Sequence, residues 1–497
     1  MSAVKMVIET PSENNFLQEV KYVPTSSDDE KLQPEQQVKR PDTLFLYFTV
    51  AIALIPWFVG GAAIVWASPA VEKLRSNDSE VNPLGRHITT VEISMVLGVP
   101  AMAGLFGSIF LPKLADIIGR RKSIQAMGLV MFISIIGVAF SRNIELIVIC
   151  ICSIAIAVSA IWGICPIYLT EICENHNRAK YCCIMALSFP LGELYTYLIG
   201  PPFSVRTFTL LIAAPLIIFL VLSFFIPESP VYILSKGQIV ECKKVLSQLR
   251  SNKSIKELDD DFNTIQQALE SEREKKGISI IKLFRSKEGR IGMMLGFLPI
   301  TIQHLSGVPV VMPLMAPILN ESGSNMSGDN IAIIVGVVEV CTYTFASLVV
   351  ERVGRKPLLI ASSIGAGTSV SILGLFFYLK SISSPFVKQY PWIPLVSMSG
   401  YITLYGLGLG PTPLAMISEL FHSDLRSTAS AIIMSTVGFI FSCYLLIYPL
   451  LAEAIGIHWC MWIFGSCCLI GSVLFYTVLP ETKGKSISEI QEILKSY

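Results

Sequence analysis

The chain has 497 residues, of which 52% are hydrophobic and only 15% charged, whereas soluble domains carry nearer a quarter charged. With a mean hydropathy of +0.61, these totals exclude an ordinary soluble domain and point to a polytopic membrane protein. The formal net charge of +1 comes without the basic, aromatic-interleaved stripe of a nucleic-acid binder, and the 12 cysteines sit mostly inside apolar runs, which argues against a secreted disulfide framework.

Residues 1–42 are polar and rich in Ser, Glu, Gln and Pro, the composition of a disordered tail, with no cleavable signal peptide. Spanning a bilayer takes about 20 apolar residues. By that rule, spans are expected near 44–67, 91–112, 123–141, 143–168, 181–201 and 207–226. A second set is expected near 291–317, 330–350, 358–379, 392–417, 429–452 and 457–479. The domains are therefore a tail (1–42), a six-helix bundle (43–226), a linker (227–289), a second bundle (290–479) and a C-terminal tail (480–497). In the linker, Ile239, Cys242, Leu246 and Leu249 share a helical face, as do Ile255, Leu258, Phe262, Ile265 and Leu269, which predicts amphipathic helices.

Basic residues set the orientation. Lys39, Arg40, Arg120–Lys122, Arg178, Lys180, Arg355, Lys356, Arg426, Lys483 and Lys485 fall on one side. An excess of Lys and Arg marks the cytosol, so both termini are expected there; Lys73, Arg75 and Arg86 are a local exception on the other side. The Asn-x-Ser sequons at Asn77, Asn320 and Asn325 fall outside in this topology, where glycosylation is possible. Asn252 falls inside.

The two halves repeat each other. Asp116-Ile-Ile-Gly-Arg-Arg-Lys122 returns as Glu351-Arg-Val-Gly-Arg-Lys356, each expected to form a short charged loop. Glu171 precedes Arg178 as Glu419 precedes Arg426, and Pro227-Glu-Ser229 returns as Pro480-Glu-Thr482. The offsets, about 235, 248 and 253 positions, drift as unequal loops require. An internal repeat of this kind is a mark of secondary transporters, whose site lies between two halves.

These words, with Pro227-Glu-Ser-Pro230, Gln303-His-Leu-Ser-Gly307, Gly410-Pro-Thr-Pro413 and Pro480-Glu-Thr-Lys-Gly484, resemble the sugar porter family of the major facilitator superfamily. Trp66-Ala-Ser-Pro69 and Ile88-Thr-Thr90 are similar to insect facilitated trehalose and hexose transporters. The resemblance implies an all-α membrane fold of twelve helices in two pseudo-symmetric bundles, with no cofactor and no metal. The implied partners are a small solute, a sugar, and the plasma-membrane bilayer.

It also implies that Asp116, Arg120, Arg121, Glu171 and Arg178 pair across the halves with Glu351, Arg352, Arg355, Glu419 and Arg426 when the outside is open. Exposed pairs contribute about 0–1 kcal/mol each, so several of them bias a two-state equilibrium without locking it. One departure is Pro112, where the family has a glycine.

The resemblance places the sugar site on Gln303, His304 and Ser306, on a span broken by Gly307, Pro309 and Pro313, with a second hinge at Gly410, Pro411 and Pro413. Other positions depart from the family: Ala186 replaces a glutamine, Pro309 and Val437 replace asparagines, and Leu414 replaces a tryptophan. Glu193 and Glu339 instead bring carboxyl groups to mid-span, a costly placement that marks a functional site.

Three functions follow. The first is facilitated diffusion of a hexose or trehalose, favoured by a first span with no acid. The second is proton-coupled or non-sugar carriage through Glu193 and Glu339. The third is a non-transporting sugar sensor. No Walker loop, His-Glu-x-x-His or nucleophile elbow supports an enzyme.

Overall fold

The structure, a computed structural model, describes residues 41–497 apart from 79–80, 275–283, 422, 486–488, 491, 493 and 495–497. The side chains of 272–274, 347–351, 418, 423, 424, 426 and 427 are also outside the description. The Glu351 and Arg426 side chains therefore lie outside the described residues, as does nearly all of the predicted tail.

Among the described residues, twelve helical segments are long and apolar enough to cross a membrane. The first six are α1 (Leu44–Ile64), α3 (Thr90–Ile118), α4 (Arg120–Phe140), α5 (Ile144–Ile172), α6 (Arg178–Ile199) and α7 (Val205–Leu222), with a short α2 (Ala67–Leu74) extending α1. Their exposed faces carry Phe106, Phe110, Ile133, Ile217 and Val221. Large apolar side chains on both inner and outer faces suit a lipid surround.

The second set begins with α11 (Lys287–Leu305), α12 (Val308–Val311) and α13 (Met315–Asn320), which form one broken span. It continues with α14 (Gly328–Val353), α15 (Arg355–Ser381) and the short α16 (Pro385–Gln389). Next come α17 (Ile393–Leu404) and α18 (Thr412–Leu420), joined by a wide π turn at Tyr405–Leu409, then α19 (Ser423–Ile455) and α20 (Ile457–Val478).

Several boundaries differ from the sequence reading. α3 runs to Ile118 and α4 starts at Arg120, so the expected charged loop shrinks to Gly119. Gly354 does the same between α14 and α15, and both glycines sit at φ +106. That backbone suits glycine alone among common residues. It lets two helices meet end to end with one residue between them.

The linker folds as α8 (Pro230–Ser235), α9 (Ile239–Leu249) and α10 (Ile255–Glu274). Cys242, Leu246, Leu249 and Phe262 are buried as the pattern predicts, but Ile239 and Ile255, at the start of each helix, are exposed. A charge cluster anchors the linker to the α5–α6 turn. Arg250 meets Asp261 at 2.6 Å, and Lys253 meets Glu174 at 2.7 Å and Asp261 at 2.8 Å. Asp42, assigned to the tail by sequence, instead accepts from Asn177 (2.7 Å), Lys180 (2.8 Å) and Tyr181 (3.0 Å). Burial opposes its ionisation, but these donors hold its carboxyl below the usual value.

Candidate functional site: the cleft between the halves and its charged end

The turns at Gly119 and Gly354 define one end of the bundle, here the basic end. Two matching charge clusters stand there. In the first half, Arg120 meets Glu171 at 3.1 Å and Asp116 at 3.0 Å, and the Ser229 hydroxyl donates to Glu171 at 2.5 Å. In the second, Arg355 meets Glu419 at 2.8 Å, and the Thr482 hydroxyl donates to Glu419 at 2.5 Å.

Each cluster is completed by a carboxylate that the sequence reading noticed only as part of a repeated word. Glu228 accepts the Arg121 N–H at 2.9 Å. Glu481 accepts the Arg355 and Lys356 N–H groups, each at 3.1 Å. Both acids cap the first turn of a helix, where free amides and the helix dipole favour negative charge. Burial alone would raise the Glu481 carboxyl, but the amides of Lys483, Arg355 and Lys356 hold it below its usual value. The signal available in sequence was the matched Pro-Glu-Ser and Pro-Glu-Thr.

At this end, the ion pairs of Arg120 with Glu171 and Asp116, and of Arg355 with Glu419, each join residues of one half. Arg178 and Arg352 are exposed, Arg178 donating to the Thr170 carbonyl at 3.3 Å. The Arg121 side chain leaves a buried Nε without a partner.

Contacts between the halves lie toward the opposite end. The Tyr197 hydroxyl donates to the Met312 carbonyl at 2.9 Å, the Ala316 N–H donates to the Ser68 hydroxyl at 3.0 Å, and Arg75 meets Glu321 at 3.6 Å. α3 packs closely on α19, and α6 on α14. A Cβ on Gly98 would stand 2.5 Å from Leu446 Cα.

Glu193 and Glu339 lie within that second seam, 5% and 7% exposed, and their carboxyl groups face each other. Each keeps its Oε2 buried and unpartnered. They meet each other rather than standing separately in an open cavity.

The predicted sugar-site residues of the second half are engaged in holding its broken helices. Gln303 Nε2 donates to the Gly410 carbonyl at 2.7 Å, tying the break in α11–α12 to the π turn before α18. The Ser306 hydroxyl donates to the Gln303 carbonyl at 2.7 Å, and the Tyr401 hydroxyl to the Ser306 carbonyl at 2.5 Å. Irregular backbone at membrane depth persists where its polar groups are satisfied in this way. Gly307 takes φ +89 at the break, with Pro309 and Pro313 just beyond and Pro411 and Pro413 flanking the second break. His304 Nδ1 lies 2.9 Å from the Ile300 carbonyl, and its ring meets Phe441 edge-on at 5.0 Å.

Two bundles meeting at one end, with a repeated clasp at the other, make a carrier architecture. A profile of the family described as "Sugar (and other) transporter" matches residues 36–494. The chain belongs to the sugar (and other) transporter family. Among relatives of this transporter, the facilitated trehalose transporter Tret1 of Apis mellifera ligustica is 28% identical, covering 98% of this chain and 95% of the relative. Tret1 of Aedes aegypti is 29% identical, covering 96% of this chain but 59% of that longer protein. The inward open conformation of the xylose transporter XylE from E. coli shares the fold, with TM-score 0.73 at 21% identity over 90% of this chain and 99% of that one. A second structure, of the major facilitator superfamily proton:xylose symporter XylE bound to 6-bromo-6-deoxy-D-glucose, matches with TM-score 0.66 at 20% identity, over 90% of this chain and 99% of that one. The fold is therefore that of the major facilitator superfamily, and the protein is a multi-pass membrane protein.

Proposed function

We propose that the chain is a facilitative carrier of a sugar, trehalose or a hexose, that works by alternating access between bundles 43–226 and 290–479. The observation that carries this reading is the asymmetry of the seam. Tyr197–Met312, Ser68–Ala316 and Glu193–Glu339 join the halves toward one end, while at the basic end Arg120 and Arg355 bind acids of their own half. That is the arrangement of a carrier open toward its basic end.

In this reading the basic end and both termini face the cytosol, as the Lys and Arg bias favours, and the membrane is the plasma membrane. The two charge clusters, with Glu351 and Arg426, re-pair across the halves when the other end opens. Gln303, His304, Ser306, Glu193 and Glu339 surround the solute path, and the breaks at Gly307 and Gly410 are its hinges. Asn77 and Asn325 are exposed and suit glycosylation. Asn320 uses its Oδ1 to accept the Gly328 N–H at 2.6 Å.

The test is uptake of labelled trehalose and glucose by the purified chain in liposomes at two pH values. Saturable uptake with counterflow, indifferent to an imposed pH gradient, is expected. Uptake that accumulates only with a proton gradient, or no sugar uptake, would refute the reading.

A further inference from the structure

One face of α6 carries Ala186, Phe189, Glu193 and Tyr197, spaced so that they stack along the helix. Burial changes steadily along it. Ala186 is exposed, Phe189 half-buried, Glu193 5% exposed and Tyr197 2% exposed. Tyr197 and Glu193 already touch the second half. Phe189 is thus the first residue of this face on the open side of the closed seam.

Two tryptophans gather at Phe189. Trp162 of α5 packs edge-on against it at 5.4 Å, and Trp57 of α1 at 6.2 Å, with the two indoles 6.4 Å apart. Trp162 is 47% exposed although it lies well inside its span. Its position on α5 shows which way it is exposed. Val158 and Cys165 face α1, the latter with its thiol 3.6 Å from the Ala53 carbonyl. Ser159 and Gly163 face α3. Trp162 occupies the arc between them, and α3 and α6, with the short α2, make the main contacts with the second half. The exposed indole therefore faces the space between the halves.

Some polar atoms nearby are unused. Trp57 Nε1, Glu193 Oε2 and Glu339 Oε2 are buried without a hydrogen-bond partner, whereas Gln303 Nε2 and His304 Nδ1 of the second half meet backbone carbonyls. Buried polar atoms in native proteins are normally paired, so these three are open to a hydrogen-bonding partner.

We propose that the Trp162 indole, braced by Trp57 and Phe189, is the platform for the C–H face of a pyranose ring, with the Glu193–Glu339 pair accepting its hydroxyls. The first half thereby supplies the ring-stacking surface, while the second half presents Leu414 where a tryptophan was expected. This inference rests on the sugar-carrier reading above. Apolar sugar faces pack on aromatic rings through dispersion and ring electrostatics.

The test is sugar uptake into liposomes by three variants, using whichever of trehalose and glucose the unaltered chain carries. Trp162→Leu keeps an apolar side chain without a π face and is expected to raise the half-saturation concentration about ten-fold. Trp162→Tyr retains a face and stays within about three-fold. Trp57→Phe keeps the brace but removes the indole N–H, and is expected to raise it about three-fold. Gel filtration checks folding, and Trp57→Phe remains informative if Trp162→Leu aggregates. An unchanged half-saturation in Trp162→Leu, or equal impairment by Leu and Tyr, would overturn the platform while leaving sugar transport intact. Absence of sugar uptake by the unaltered chain would overturn the carrier reading and the platform with it.

Discussion

The seam toward the end opposite the basic turns offers a direct test of the two-state reading. Ser68→Ala removes the acceptor of the Ala316 N–H at 3.0 Å, and Tyr197→Phe removes the donor to the Met312 carbonyl at 2.9 Å. Ser68, Tyr197 and Ala316 are each at most 2% exposed, so water does not replace either bond while the seam is closed. A neutral hydrogen bond contributes about 0.5–1.5 kcal/mol net, and a seam that opens exchanges it for water. Each variant should therefore favour the state with this seam open by about two- to ten-fold. The double variant should shift it by roughly the product, since the bonds do not share atoms.

Hydrogen exchange followed by mass spectrometry reads this out. Amides near Ala316 exchange in proportion to the open population when opening is rare, so exchange there should quicken by those factors. Amides at the Gly119 and Gly354 turns should slow as that end closes. Faster exchange at both ends would mean general loosening. Unchanged exchange at Ala316 would mean that these bonds do not hold the seam.

Two further outcomes follow from the charged turns. Gly119→Ala forces a side chain onto φ +106 with its Cβ 2.3 Å from Glu228 Oε2, while Gly354→Ala meets Glu481 at 3.0 Å; thermal unfolding in detergent should show both destabilised, by about 1–3 kcal/mol for the backbone alone, with Gly119→Ala the worse. The Glu481 carboxyl is held below its ordinary 4.5, so its stabilising contribution is complete above pH ~4.5 and is lost as pH falls through the lower folded value; Glu481→Gln should unfold more readily at neutral pH and lose that part of the acid dependence, which melting curves across pH would show.

How far the sequence could be read depended on the kind of signal. The spans were legible because bilayer thickness sets a length that apolar runs either meet or miss. The fold was legible because charged words at matching places recur after about 250 positions. Helix ends were less so. The run Asp116–Lys122 looks like a loop by charge, yet only Gly119 leaves the helix, because Glu228 caps the new helix from 107 positions away. A bond of that range leaves no local pattern. The same holds for Gln303, whose sequence word gives no hint that its amide donates to the Gly410 carbonyl 107 positions away. The aromatic trio was invisible for another reason: Trp57, Trp162 and Phe189 come from three separate helices, and no one-dimensional spacing joins them.

The twin capping acids have a consequence for where the protein ends in practical terms. Glu481 follows the final span by only a few positions, yet it closes the amides that begin α15, and Thr482 binds the acid that holds Arg355. A version cut immediately behind Val478 would retain every membrane crossing and still forfeit one of its two clasps. The short segment after the last crossing is a fastener of the second bundle, just as the opening of the linker fastens the first.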